Sequence, residues 1–314
     1  MMSTRKAAVI DMGTNTFHLL LVELSESGFK TIYKEKIPVK IGQGGISQNQ
    51  IAPDAQKRAF HTLKHFKNLI DGEHIDQIFA FATSAVRNAE NGPEFVQRVK
   101  EEIGIHINVI SGDEEAQLIY EGINLSGSLN EEVHLMMDIG GGSVEFIIGT
   151  SEEVLWKKSF EIGGQRLLDS FHYHDPILPE EVDRLEAYCE EKLQPLVEAI
   201  QKFKPTGLVG ASGTFDTLTD IYFESMLQCK LTGQHVFELP RTEFERIFEL
   251  LKTKNREERL NIPGMIAMRV DMIVVASCLI EFILRYVPVE EIVCSFYSLK
   301  EGAVSRLLSG KVAV

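Results

Sequence analysis

Two stretches decide how this chain is read: Ala7–Leu20, AAVIDMGTNTFHLL, and Val133–Gly149, VHLMMDIGGGSVEFIIG. Each brings an apolar strand to an aspartate, turns on glycine and restarts an apolar strand, which predicts a β-hairpin after Asp11 and another after Asp138. In DIGGGS (Asp138–Ser143) three consecutive glycines follow the strand. Glycine admits positive φ and lets a ligand approach backbone N–H groups with no Cβ in the way. Successive N–H donors in such a turn form a nest for phosphate oxygens, and the leading aspartate can hold a cation or its water shell. DMGTNT (Asp11–Thr16) is weaker on its own, and GASGT (Gly210–Thr214) follows a third predicted strand. If two domains face each other, both nests line one cleft, an arrangement suited to gripping a phosphate chain from both sides.

Working outward, a third strand is expected over Lys30–Val39, and Pro53–Asp71 is expected to be a helix burying Ala55, Ala59, Phe60, Leu63, Phe66 and Ile70. Ile75–Arg87 reads as a strand ending in a polar turn, Pro93–Gly104 as a helix closed by glycine, and Ile105–Ser111 as a strand. A helix beginning at GDEEAQLIYEGI leads into the second hairpin, after which the pattern repeats with strand material at Val154–Gly164 and Gly207–Thr214. This is a duplication of plan rather than of sequence. It implies an α/β protein of two domains, residues 1–124 and 125–298, each a mixed sheet flanked by helices, with a helix of about 299–312 packing back on the first. A hinge is expected near Gly122 to Asn130, where GINLSGSLNEE is rich in Gly, Ser and Asn.

The chain of 314 residues is 44% apolar, enough for a sizeable core. Its longest apolar run, Met272–Leu284, is interrupted by Glu281 and is too short to span a bilayer, so a buried helix is expected. The opening residues carry no charged leader with an apolar core. The four cysteines, Cys189, Cys229, Cys278 and Cys294, contain no Cys-x-x-Cys pair, which fits reduced thiols and a cytoplasmic setting. A net charge of −14 argues against a broad nucleic-acid-binding face. An anionic ligand must then be held locally by nests, one or two arginines and a divalent cation. Much of the acidity lies in Pro179–Leu196, read as one amphipathic helix with a solvated acidic face.

DMGTNTFHLL, ATSAVRNAENG, VISGDEEAQLIYEG, DIGGGSVEF, GASGTFDTL and SLKEG, in that order, resemble the motifs of the exopolyphosphatase and guanosine pentaphosphate phosphatase family, within the superfamily of actin and the sugar kinases. The resemblance runs from Ala7 to Leu307. It implies two actin-like (ribonuclease H-like) domains and magnesium-dependent hydrolysis of a terminal phosphate from inorganic polyphosphate or guanosine pentaphosphate. It puts the catalytic base at Glu115, phosphate contacts at Thr14, Asn15, Arg87, Gly141, Gly142 and Ser143, and the magnesium shell at Asp138, Glu145 and Asp11. A homodimer, with neither nucleic acid nor membrane as partner, is the expected assembly. The chemistry agrees: phosphoryl transfer asks for positioning, charge neutralisation and a carboxylate to orient and deprotonate water.

Glu114 and Glu115 point about 100° apart at a helix start, and spacing alone fits either. The bland alternative for Arg87 is a surface ion pair with Glu90. His61 with His65, and HYHD (His172–Asp175), have ligand-like spacing and weaker support, while IGQGG (Ile41–Gly45) reads as a turn or a mobile loop. Thr14 and Thr16 stand where the family commonly has serine, Val144 where it has threonine, and Phe296 where many members carry aspartate. The length resembles the short, two-domain members. A non-catalytic phosphate-chain sensor is the competing reading from another class. Scattered basic residues, Lys34, Lys36, Lys40, Arg166 and Arg241, leave the bulk charge to repel a long substrate. Short chains are therefore expected to be preferred, with salt improving the binding of long ones.

Overall fold

The computed structural model describes residues 5–227, 230 and 233–310. In chain order the elements are β1 (Arg5–Met12), β2 (Phe17–Ser25), β3 (Gly28–Ile37), α1 (Pro53–Gly72), β4 (Ile78–Ala82), α2 (Ser84–Arg87), α3 (Gly92–Ile103), β5 (Ile107–Val109) and α4 (Gly112–Leu125). There follow β6 (His134–Ile139), β7 (Val144–Gly149), β8 (Val154–Phe160), α5 (Gly164–Phe171), α6 (Pro179–Lys192), α7 (Gln194–Phe203), β9 (Gly207–Ala211) and α8 (Gly213–Ser225). The chain ends with β10 (Val236–Pro240), α9 (Arg241–Thr253), α10 (Arg256–Leu260), α11 (Met272–Leu284), β11 (Glu291–Ser295) and α12 (Leu299–Leu308).

Two compact units result: Met1–Gly122 with Gly140–Gly142 and Leu299–Val314, and Ile123–Ile139 with Ser143–Ser298. The sheet of the first has the order β3-β2-β1-β4-β5, and that of the second β10-β11-β9-β6-β7-β8. Read from the outer hairpin strand, β3-β2-β1-β4-β5 and β8-β7-β6-β9-β11 are the same plan, with β10 added at one edge. In both, the hairpin strands pair antiparallel and the remaining core strands parallel. The sheets are mixed because each hairpin needs only a tight turn, whereas every later strand returns through a helix.

Strand alternation divides the first sheet. Ile10, Met12, Phe17, Leu19 and Leu21 join Ala59, Leu63, Phe66 and Phe95 in one core, while α12 packs along β1, β2 and β3. In the second unit α11 is the central helix, with every residue but Glu281 buried, because its apolar run leaves no polar face.

The structure differs from the sequence reading in four places. The strand expected from Ile75 begins at Ile78 and ends at Ala82, and the polar turn expected after it is one helical turn, Ser84–Arg87. The acidic helix breaks at Leu193 into α6 and α7, since Pro195 has no N–H to continue the ladder and its ring collides with the preceding turn. Glu181 on α6 is buried rather than solvated, accepting hydrogen bonds from the N–H groups of Leu178 and Tyr173 and bonding the His174 ring. The segment expected to hold a hinge begins inside α4, which runs to Leu125. Cys229 and residues 311–312, parts of two earlier expectations, lie outside the described residues. No helix among the described residues is long and apolar enough to cross a membrane.

Candidate active site

In the first unit the residues between β1 and β2 are Gly13–Thr16. The Gly13 N–H donates to the Thr16 carbonyl at 3.0 Å, closing the turn. The following loop braces it from outside: Lys40 N–H donates to Asn15 O at 2.8 Å and Gly42 N–H to Thr14 O at 3.1 Å. The IGQGG segment is thus fixed to the first glycine turn. The glycines of the second turn also count with this unit, and their lack of side chains has a steric reason. A Cβ on Gly141 would lie 2.6 Å from Asn15 Nδ2, and one on Gly142 would lie 2.4 Å from Ser84 Oγ and 2.7 Å from Thr14 Oγ1.

Ser84 opens α2, and Arg87 closes it. Arg87 Nη1 donates to Glu115 Oε2 at 2.7 Å and to the Ile110 carbonyl at 3.1 Å. Both side chains are largely buried. Glu90, the surface alternative, instead accepts from Gln50 at 2.7 Å. The neighbouring acid is committed elsewhere: Glu114 pairs with Arg306, which also grips Glu121 at 2.6 and 3.1 Å. Gly302 on α12 allows that approach, since a Cβ there would meet the Leu118 carbonyl at 1.8 Å.

In the second unit the antiparallel register puts Asp138 directly opposite Glu145. Both are buried. Ser298 Oγ donates to Asp138 Oδ2, and Ser159 Oγ to Glu145 Oε1 at 2.7 Å. A buried guanidinium, Arg269, acts electrostatically on Asp138 and Asp216. Burial lowers its pKa and the two carboxylates oppose that shift. Its Nε has no hydrogen-bond partner among the described residues. It packs on the GASGT turn, where a Cβ on Gly213 would lie 2.1 Å from Arg269 Nη2. Ser143 is buried at the end of the glycine turn. Asp11 belongs to the first unit and faces His18 across the strands, with the His18 ring 3.0 Å from Thr16 Oγ1.

An all-oxygen pair such as Asp138 and Glu145 fits magnesium, which binds through one or two carboxylates plus waters and substrate phosphates rather than in a protein cage. Among the described residues no three His, Cys, Asp or Glu side chains form such a cage.

The model of the Ppx/GppA phosphatase family matches residues 20–310. The chain belongs to the Ppx/GppA phosphatase family. It is similar to the crystal structure of an exopolyphosphatase from Cytophaga hutchinsonii, with 44% identity, 98% of each chain covered and a TM-score of 0.95. It is also similar to a PPX-GPPA enzyme from Aquifex aeolicus, with 26% identity, coverage of 98% of this chain and 100% of the other, and a TM-score of 0.81. The protein is therefore a phosphoanhydride hydrolase of the exopolyphosphatase type with the actin-like fold of Ppx/GppA structures.

Against that family frame, Phe296 is an apolar replacement: it packs 4.7 Å from Phe237, with Lys230 Nζ 4.2 Å above its ring. Lys230 pairs with Asp220 at 2.6 Å. The lesser candidates have local partners. His65 pairs with Glu35 at 2.9 Å and His174 with Glu181 at 3.0 Å. Cys189, Cys278 and Cys294 are free and buried, and burial pushes each thiol up to about 12, so none is a nucleophile near neutrality. Sequence reasoning missed Ser84, Arg269, Ser298 and Arg306 as parts of the site's frame. Ser84 and Ser298 were inside quoted motifs. Arg269 carried a weaker signal, a cation three residues ahead of the apolar run of α11.

Proposed function

We propose that this chain is an exopolyphosphatase that hydrolyses the terminal phosphate of inorganic polyphosphate, with Glu115 as the base. One observation carries the reading. The four-residue helix α2 touches the second glycine turn through Ser84 and Glu115 through Arg87. Four residues span only about 6 Å, so the phosphate cradle and the carboxylate are held within the reach of one phosphate group.

Thr14, Asn15 and the N–H groups of Gly141, Gly142 and Ser143 grip phosphate oxygens. Arg87 has five N–H donors in a fork and can hold Glu115 and a phosphate oxygen together. The attacking water forms a bond to the terminal phosphorus as the bridging P–O bond breaks. Glu115 takes the water's proton, the shortened chain leaves on its own oxygen, and the proton passes to solvent. Asp138 and Glu145 would hold magnesium from the second unit, and Asp11 is the corresponding acid of the first. When bound, the ion neutralises charge on the phosphates. Arg306 keeps Glu114 out of the reaction.

The test is phosphate release from polyphosphate and from guanosine pentaphosphate, side by side, with and without magnesium. Glu115→Gln should lower turnover ~10²–10⁴-fold, and Glu114→Gln should leave most of it. The reverse order would transfer the base to Glu114. Release from guanosine pentaphosphate alone would replace the substrate.

A further inference from the structure

We infer that Ser159 and Ser298 are positioning residues that select the cation: each holds one oxygen of a site carboxylate, so that the acidic pair meets an ion through single oxygens and prefers magnesium to calcium. This role rests on the exopolyphosphatase reading and deepens it at the second hairpin.

One row of the second sheet carries most of the arrangement. Ala211 on β9 stands opposite Asp138 on β6, Asp138 opposite Glu145 on β7, and Glu145 opposite Ser159 on β8. Directly opposed residues share a face of the sheet. Glu145 is therefore flanked by an acid on one side and a hydroxyl on the other, and Ser159 Oγ donates to Glu145 Oε1 at 2.7 Å. The other flank of Asp138 is the methyl group of Ala211, which offers no donor. Its hydroxyl comes from outside the sheet, where Ser298 Oγ donates to Asp138 Oδ2.

The loop leaving β11 delivers Ser298 and is pinned on both sides of Phe296. The Phe296 N–H donates to the His235 carbonyl at 2.9 Å, and its ring packs 4.7 Å from that of Phe237. Tyr297 stacks on His235 with ring centroids 4.3 Å apart, and its N–H donates to Ser295 Oγ at 3.2 Å. Ser298 itself is buried. The apolar Phe296 thus anchors the loop that brings a hydroxyl to the aspartate.

Both carboxylates are buried, so each oxygen needs a partner. A hydroxyl satisfies an oxygen without cancelling the charge, as a lysine or arginine in the same place would. Each hydroxyl also occupies one oxygen and fixes the plane of its carboxylate, which leaves at most one oxygen of each for a cation. Magnesium demands near-octahedral geometry and keeps several waters beside one or two carboxylates, whereas calcium takes six to eight oxygens and accepts a carboxylate through both. Two hydroxyl-held carboxylates meet the first demand and withhold the second.

The experiment uses Mn2+ as the probe, its paramagnetic resonance signal reporting the bound fraction, with magnesium and calcium titrated as competitors in the absence of substrate. The proteins are the wild type, Ser159→Ala, Ser298→Ala, the double alanine variant and Ser159→Thr. Loss of a partner that orients a metal ligand lowers affinity by about 10–100-fold. Magnesium affinity should fall about tenfold in each alanine variant while calcium affinity holds or rises, and the ratio should move furthest in the double variant. Ser159→Thr keeps the hydroxyl on a strand and should keep the wild-type ratio. Polyphosphate hydrolysis at fixed magnesium should become more sensitive to calcium in the same order. Parallel loss of both cations would reduce the serines to a fold-supporting role and overturn the inference, as would an unchanged magnesium affinity or a wild type that binds neither ion. If Ser298→Ala does not fold, Ser159→Ala, at a half-buried strand position, carries the comparison alone. A wild type with the expected selectivity that releases no phosphate from polyphosphate would overturn the activity reading and leave the serine assignment standing.

Discussion

The two hairpins are built to one plan and carry opposite charge logic. Both leave four residues between the last paired positions, Met12 with Phe17 and Ile139 with Val144. Both place an aspartate one residue further back. Across from Asp11 stands His18, whereas across from Asp138 stands Glu145. Like charges directly opposite on adjacent strands are unfavourable, and burial makes this pair costlier still. Ser298, Ser159 and the field of Arg269 offset part of that cost. The two copies of the plan carry different groups: the first holds the Arg87–Glu115 pair, the second the paired carboxylates.

The largest effect expected from breaking this comparison is at Arg269. Arg269→Met leaves buried Asp138 and half-buried Asp216 beside an apolar chain, and loss of one partner from a buried charge group costs about 3–5 kcal/mol. Denaturant midpoints should fall accordingly, and adding Asp216→Asn should recover part of the loss. An unaltered midpoint would show that the acid pair needs no internal counter-charge.

Next come the turns. Gly142→Ala must displace Ser84 and Thr14, costing about 1–3 kcal/mol as overpacking does. Gly13→Ala meets only the Thr16 carbonyl at 3.2 Å and should cost less. Thermal melts of the two variants compare the turns directly, and equal losses would remove the distinction.

The smallest effect concerns pH. Burial lowers the pKa of His134 and His172, and Arg259 adds to the effect at His172. A base whose folded pKa lies below its unfolded 6.5 contributes its stabilisation above that value and loses it as pH falls. Burial alone would raise Glu181, but the Leu178 N–H, the His174 ring and the Tyr173 N–H hold it at about 2 against an ordinary 4.5. Its contribution is full above 4.5 and is lost as pH falls toward 2. All three groups belong to the second unit. Hydrogen-exchange protection factors, corrected for the intrinsic rate at each pH, should therefore fall there first on acidification, beginning below about pH 6.5; earlier opening of the first unit would contradict the assignment.

Much of this was legible because hairpins, glycine turns and apolar periodicity are local properties. The buried face of α1 and the almost wholly buried α11 follow from side-chain spacing alone. What escaped was non-local. Glu181 looked like one acid in a solvated run, since its partners Tyr173 and Leu178 lie in a preceding loop. The Arg87–Glu115 pair joins residues on α2 and α4, and Arg306 reaches Glu114 and Glu121 from the far end of the sequence. The Asp138–Glu145 pairing was present in the spacing, but its meaning depended on the register, which the four-residue turn sets.

The most direct measurement is magnesium dependence of phosphate release for the wild type, Asp11→Asn and Glu145→Gln in one titration series. If the acid pair of the second hairpin carries the ion, Glu145→Gln should raise the magnesium needed for half-maximal rate by about tenfold or more, worth about 1.4 kcal/mol. Asp11→Asn, opposite His18, should shift it far less. Equal shifts for the two variants, or full activity of the wild type in chelator, would contradict the account.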